Sequence, residues 1–152
     1  MPTLFLICGL PGAGKTTLAK QLEASEHALR LCPDEWIQPI LSDPNDRQEM
    51  DRLRAHIETI QWELAKRSLV LGIPVILEFG FWSKQERAYF RNEAEKLGAK
   101  VQLHYLNVEL EELWRRVEKR NTDLPIGSFY INKEELVEWA QLFEAPTPDE
   151  FA

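Results

Sequence analysis

The sequence predicts an α/β protein: a parallel sheet in three layers, with helices on both faces. Three observations point there. Short apolar runs alternate with segments of helical period along the chain, the pattern of strands joined by right-handed helical crossovers. The first run, TLFLIC (Thr3–Cys8), shows no polar alternation after Thr3, as in a strand covered on both faces. A glycine-rich turn, GLPGAGKTT (Gly9–Thr17), joins that run directly to a helical segment.

The elements follow in order. KTTLAKQLEA (Lys15–Ala24) has helical character, and ALRLC (Ala28–Cys32) reads as a short second strand stopped by Pro33-Asp34. A long helix is expected over 45–71, with Leu53, Ile57, Ile60, Leu64 and Leu71 on one stripe and Gly72 as its stop. PVILEF (Pro74–Phe79) is the third strand. The next helix spans 83–97, with Ser83 as N-cap, Glu86 three residues on and Gly98 as stop. KVQLHYLNV (Lys100–Val108) is the fourth strand, followed by a charged helix over 109–121, another over 134–143 and a proline-containing tail. Residues 1–152 are read as one domain, since no repeat, low-complexity tract or linker interrupts them. Many folds of this class carry a fifth strand, which would fall about where this chain ends; it is either absent or replaced.

Composition narrows the function. At 44% hydrophobic and 28% charged residues the chain is ordinary for a soluble globular protein. A net charge of −7 argues against coating of nucleic acid, which needs Lys and Arg to neutralise phosphates, yet allows a local basic site. Cys8 and Cys32 end apolar runs and read as buried thiols of a reducing compartment. No basic leader precedes the first strand, and no apolar run approaches the ~20 residues that cross a bilayer. These features predict a cytoplasmic protein without a membrane partner. His27, His56 and His104 lack metal-ligand spacing.

Gly9 to Thr16 matches the phosphate-loop pattern GxxxxGK[ST] without a mismatch, with a strand before it and a helix after it. Gly9, Gly12 and Gly14, with Pro11 and Ala13 between them, let backbone N–H groups converge on an anion. The helix N-terminus behind them adds its positive end. Lys15 is placed to reach the β- and γ-phosphates, Thr16 to ligate Mg²⁺, and Thr17 to add a phosphate hydrogen bond.

Three later segments extend the site. In CPDEW, Asp34 follows the second strand on the edge where open α/β sheets bind ligands, so its carboxylate is a candidate base. Glu35 is an alternative, Trp36 a candidate for stacking, and the bland reading is a cap for a helix over 35–41. In VILEFGFWSKQERAYF, Glu78 closes a buried strand where a carboxylate can help hold Mg²⁺ and its waters. Arg87 shares a helical stripe with Phe90, Ala94 and Leu97 and needs an anionic partner, either a substrate phosphate or Glu78. In EELWRRVEKRN, Leu110, Leu113, Trp114 and Val117 form the apolar stripe. Arg116 and Arg120 flank it where a mobile lid over 115–131 would bring them to a transferring phosphoryl group, whereas Arg115 and Lys119 face solvent.

With GLPGAGKTT, CPDEW, VILEFGFW with Arg87, LWRRVEKRN and FEAPTPDE, the chain resembles small P-loop kinase-like ATP-binding proteins often filed as AAA family ATPases. Their wider relatives include chloramphenicol phosphotransferase, zeta toxins and the kinase domains of 5′-hydroxyl polynucleotide kinases. The resemblance spans nearly the whole chain. It implies a P-loop fold with an adenylate-kinase-like core, the third strand beside the first, and transfer of the ATP γ-phosphate to a hydroxyl. It maps the base to Asp34, the lid arginines to Arg116 and Arg120, and adenine contact to the tail. Glu78, where Asp is usual, is a departure.

The leading expectation is therefore an ATP- and Mg²⁺-dependent phosphotransferase acting on an unidentified small hydroxyl compound. In it Lys15, Asp34, Arg87, Arg116 and Arg120 act in the chemistry, and Gly9, Pro11, Gly12, Ala13, Gly14, Lys15, Thr16 and Thr17 with both lid arginines hold the nucleotide. Thr16 and Glu78 hold the metal. The alternatives are a 5′-hydroxyl nucleic-acid kinase, disfavoured by charge, and a nucleotide switch or NTPase read by a partner protein. Acceptor identity, ATP against GTP and oligomeric state are not written in the residues.

Overall fold

The computed structural model describes residues 1–151. Four strands form one sheet among the described residues, all parallel: β1 (Thr3–Cys8), β2 (Leu29–Leu31), β3 (Val75–Gly80) and β4 (Lys100–Tyr105), in the order β2-β3-β1-β4. The third strand thus lies beside the first, as expected. Leu4 sits opposite Val75 on one side and Val101 on the other, so β1 is paired along both edges.

Side-chain alternation on β1 sorts the layers. Phe5 and Ile7 pack with Ala19, Leu18 and Leu22 of α1 (Lys15–Glu26) and with Ile76. Leu4, Leu6 and Cys8 face the opposite layer, built from α3 (Arg47–Val70) through Trp62, Ala65 and Leu69 and from α4 (Lys84–Lys96) through Phe90 and Ala94. Between β2 and α3 lies the short α2 (Pro33–Ile37). Each fully buried Leu, Ile or Phe is worth roughly 1.5–3 kcal/mol, and Leu4, Leu6, Ile7, Leu77 and Phe81 are all essentially inaccessible. A third cluster, around Leu10, Ala13, Leu113, Val117, Ile131 and Leu136, packs α5 (Leu110–Asn121) and α6 (Lys133–Leu142) against the glycine-rich turn.

Capping follows the sequence signals. Ser83 Oγ accepts from Glu86 N–H at 3.0 Å at the start of α4, and Asp46 Oδ1 accepts from Glu49 N–H at 3.0 Å at the start of α3. A full capping box, Asn132 with Glu135, opens α6.

The stripe expected on the long helix is rotated. Ile57 is buried and Leu53 half-buried, as expected, but Ile60, Leu64 and Leu71 are exposed, and beside Ile57 the buried face carries Met50, Gln61, Trp62, Ala65, Ser68 and Leu69. Two polar residues on the inner face and several aliphatic ones outside hide the true face from an apolar count. The helix expected over 35–41 is shorter and earlier, because Pro33 with its fixed φ starts it. No helix of the described residues is long and apolar enough to cross a membrane.

Candidate active site

The carboxyl ends of β1 and β3 converge on the glycine-rich turn, where Gly9 N–H donates to Gly80 O at 3.0 Å. Gly12 has φ +86°, and a Cβ there would meet Val117 Cγ2 at 3.0 Å and Leu113 O at 3.1 Å. Only glycine lets the turn lie against α5. Gly14 is the N-cap of α1 and no side chain caps that helix end, so its first-turn N–H groups are left without a side-chain acceptor, as an anion site requires. Pro11, Gly12, Ala13 and Gly14 carry the chain around this cradle, with Ala13 N–H closing it on Leu10 O at 3.1 Å.

Lys15 Nζ donates to Leu10 O at 3.0 Å, inside the loop. Desolvation, partly offset by Asp34 and Glu78, lowers its pKa to about 8. Arg120 also acts on that charge, so Lys15, Asp34, Glu78 and Arg120 share one locale. Thr16 Oγ1 donates to Glu78 Oε1 at 2.7 Å. A threonine hydroxyl beside a carboxylate is an oxygen donor set that suits a hard dication. The exposed Thr17 follows on the same turn of α1. Glu78 itself is 6% exposed, and its second oxygen accepts from Arg30 Nη1 at 2.6 Å.

Asp34 lies in the first turn of α2, just past the carboxyl end of β2. Its Oδ1 accepts from Arg54 Nη1 of α3 at 2.6 Å, both side chains being about one-third exposed (35% each). Arg120 is half-buried with its Nε unpartnered, and burial lowers its pKa against the opposing pull of Asp34. Beyond Arg54, burial and the nearby Glu86 push Glu58 up to about 7. Glu35 turns to Arg30, which holds its carboxyl below the usual range. Trp36 is 37% exposed.

The two lid arginines of the sequence reading separate. Arg116 is exposed; it donates to Gly12 O at 3.2 Å and to Glu112 Oε1 at 2.9 Å, at the outer wall of the loop. Arg120, one turn later, lies near Lys15 and Asp34. Arg87 corrects its expectation. Its internal partner is not Glu78: Nε donates to Glu150 Oε1 at 2.7 Å and Nη1 to Phe81 O at 2.7 Å, with 2% of the residue exposed. Glu78 extends to the α1 side of the sheet and Arg87 packs on the other, so no pair between them forms. The arginine holds Phe81, a bulky residue at φ +52°, in the left-handed region it rarely adopts. The tail that supplies Glu150 also donates Glu144 N–H to Trp82 O at 2.7 Å, and Phe143 stacks on Tyr105.

Arg30 and Arg54 carry no expectation from the sequence. Arg30 falls in an apolar run, and Arg54 is one of several charges on a long helix; each becomes visible only once α2 folds back over both.

A parallel sheet of this order, a glycine-rich loop feeding α1 and a hydroxyl–carboxylate pair beside its lysine define a three-layer P-loop, kinase-like nucleotide-binding protein. The sequence profile of the AAA_33 family, described as an AAA domain, matches residues 4–146, and the chain belongs to that family. A protein of Aeropyrum pernix named as a probable adenylyl-sulfate kinase is 31% identical over 114 residues, 72% of this chain and 61% of the relative. The chain thus spans about three-fifths of the length of this curated relative. Among solved structures, a candidate kinase of Chloroflexus aurantiacus J-10-fl superposes with a TM-score of 0.78 at 19% identity, covering 97% of this chain and 83% of the other. Chaetomium thermophilum Kti12, in complex with ADP-AlF3, superposes at 0.68 with 22% identity over 96% of this chain and 82% of the other. Both likenesses are of fold.

Proposed function

We propose that the protein is an ATP- and Mg²⁺-dependent phosphotransferase that moves the γ-phosphoryl group of ATP to a hydroxyl of a small molecule. The observation that carries this is the grouping of Asp34 and Arg120 with Lys15 at the mouth of the loop. A carboxylate beside the loop lysine, with a guanidinium nearby whose Nε has no partner, suits a second substrate. The named relative, a probable adenylyl-sulfate kinase, supports the same class.

Each group then has a role. The β- and γ-phosphates sit on the loop N–H groups and draw Lys15 Nζ away from Leu10 O. Thr16 and Glu78 would hold the metal, whose charge, when bound, would offset that of the phosphates. Asp34, oriented by Arg54, accepts the proton of the acceptor hydroxyl as its oxygen attacks the γ-phosphorus. The bond from that phosphorus to the ADP oxygen breaks, and ADP leaves with the electron pair. Arg120 stabilises the charge spread over the transferring oxygens, its buried Nε gaining the acceptor it lacks. Arg116 keeps the loop wall in place through Gly12 O, and the segment around 115–131 closes over the site as a lid. The net charge of −7 favours a small acceptor over a nucleic-acid end.

A transfer screen with γ-labelled ATP against pooled nucleosides, sugars, amino-alcohol antibiotics and 5′-hydroxyl oligonucleotides tests the class. Label on a small acceptor is expected; label on oligonucleotides alone points to the nucleic-acid kinase.

A further inference from the structure

Arg30 stands on β2 with its side chain 11% exposed among three carboxylates. Nη1 donates to Glu78 Oε2 at 2.6 Å and to Glu35 Oε2 at 2.6 Å, Nη2 donates to Glu35 Oε1 at 2.9 Å, and Nε lies 3.4 Å from Glu23 Oε2. One guanidinium thus faces three carboxylates, and a simple structural ion pair needs one. One of the three, Glu78, also meets Thr16, where a dication is expected.

Each end of this group touches something that can change. At one end Glu78 Oε1 accepts the Thr16 hydroxyl at 2.7 Å. At the other, Glu35 lies under Gly127 of the loop between α5 and α6: Gly127 has φ +83°, and a Cβ there would meet Glu35 Cγ at 2.8 Å. Gln38, the C-cap of α2, accepts Gly127 N–H at 2.6 Å. Two residues on, Phe129 is buried with Ile37, Met50 and Ile57. Contacts therefore run without a gap from Thr16 through Glu78, Arg30 and Glu35 to Gly127.

We propose that Arg30 is a positioning residue that couples occupancy of the Thr16–Glu78 pair by Mg²⁺–nucleotide to seating of the loop at Gly127, acting through Glu35; this rests on the nucleotide-binding reading of the phosphate loop. A dication held by Glu78 would draw the carboxylate's charge and weaken its hold on Nη1. The other acceptor of Nη1 is Glu35 Oε2, so the two-pronged grip on Glu35 tightens. Glu35 held in place keeps the surface on which Gly127 rests. Coupling is reciprocal, so the seated loop strengthens binding of Mg²⁺–nucleotide by the same factor and leaves metal-free nucleotide unaffected.

The test uses the full chain with a non-hydrolysable ATP analogue, once with Mg²⁺ and once with EDTA. Affinity and hydrogen exchange of the Gly127 amide are both read. In the wild type, Mg²⁺ with analogue is expected to slow exchange at Gly127 by about fivefold or more relative to analogue alone. Glu35→Gln loses that slowing and the matching factor in affinity for Mg²⁺–analogue, with metal-free affinity unchanged. Gly127→Ala, which replaces no metal-side residue but drives a Cβ against Glu35 Cγ, loses both as well. Glu35→Gln that keeps the wild-type response, or a wild type that binds Mg²⁺–analogue with no change at Gly127, overturns the coupling alone. A wild type that binds the analogue in neither condition overturns the phosphate-loop reading and the coupling together.

Discussion

Thr16 Oγ1 donates to Glu78 Oε1 at 2.7 Å, so a hydroxyl from the first turn of α1 meets a carboxylate from β3 across 62 residues of sequence. If this pair holds the metal, Thr16→Ala and Glu78→Gln should each cost roughly 10–100-fold in Mg²⁺-supported turnover. A Mg²⁺ titration reads the effect. A Glu78→Gln protein that titrates like the wild type removes Glu78 from the metal.

Lys15 carries a second prediction, with a defined sign in pH. Burial lowers its pKa from 10.5 in a free side chain to about 8, so between those values the unfolded chain binds more protons at this position than the folded one. Its contribution to stability therefore rises with pH across that window. The difference in urea midpoint between wild type and Lys15→Met should grow in favour of the wild type from about pH 8 to 10.5. Nucleotide affinity moves the other way, because phosphate needs the protonated lysine, and falls above about pH 8. At neutral pH Lys15→Ala should lose about 10–100-fold in nucleotide affinity, the worth of a charge-assisted hydrogen bond; unchanged affinity refutes the loop assignment.

Arg116 and Arg120 should separate. Arg120→Ala is expected to lower kcat by about 1,000-fold or more, as loss of an arginine acting on the transferring group does. Arg116→Ala loses only an exposed bond to Gly12 O and a surface pair with Glu112, and should cost less than tenfold, within the ~1 kcal/mol of exposed pairs. Equal losses in kcat contradict the placement of Arg120, and not Arg116, near Asp34.

Arg87 belongs to stability. Its pair with Glu150 leaves the two side chains 3% and 9% exposed, so Arg87→Met strands a buried carboxylate and should cost about 3–5 kcal/mol. Thermal melting and nucleotide titration together check this. A variant that melts like the wild type but no longer transfers phosphate returns Arg87 to the chemistry.

Much of this was legible in the residues. β1 could be delimited because it is apolar throughout and closed by a glycine, and the phosphate loop because its residue types admit few other uses. Ser83 and Glu86 announced the start of α4. Arg87 was legible as an inward arginine needing an anion, but its partner, Glu150, comes from a tail 63 residues on that no periodicity brings to α4. The face of α3 was hidden by Gln61 and Ser68, polar residues buried where an amphipathic count expects aliphatic ones. Arg30 and Arg54 were silent for a related reason. Each is defined by a carboxylate on another element, and only the folding of α2 across the sheet edge brings them to Glu35 and Asp34.

The most direct test of phosphoryl transfer is a single turnover with γ-labelled ATP in the presence of the acceptor pool, comparing wild type with Asp34→Asn. The wild type should place label on an organic hydroxyl. The variant should lose that product by about 100–10,000-fold, the range of a general base, while binding ATP with unchanged affinity. Label released only as free phosphate by the wild type, or transfer undiminished in Asp34→Asn, contradicts the account.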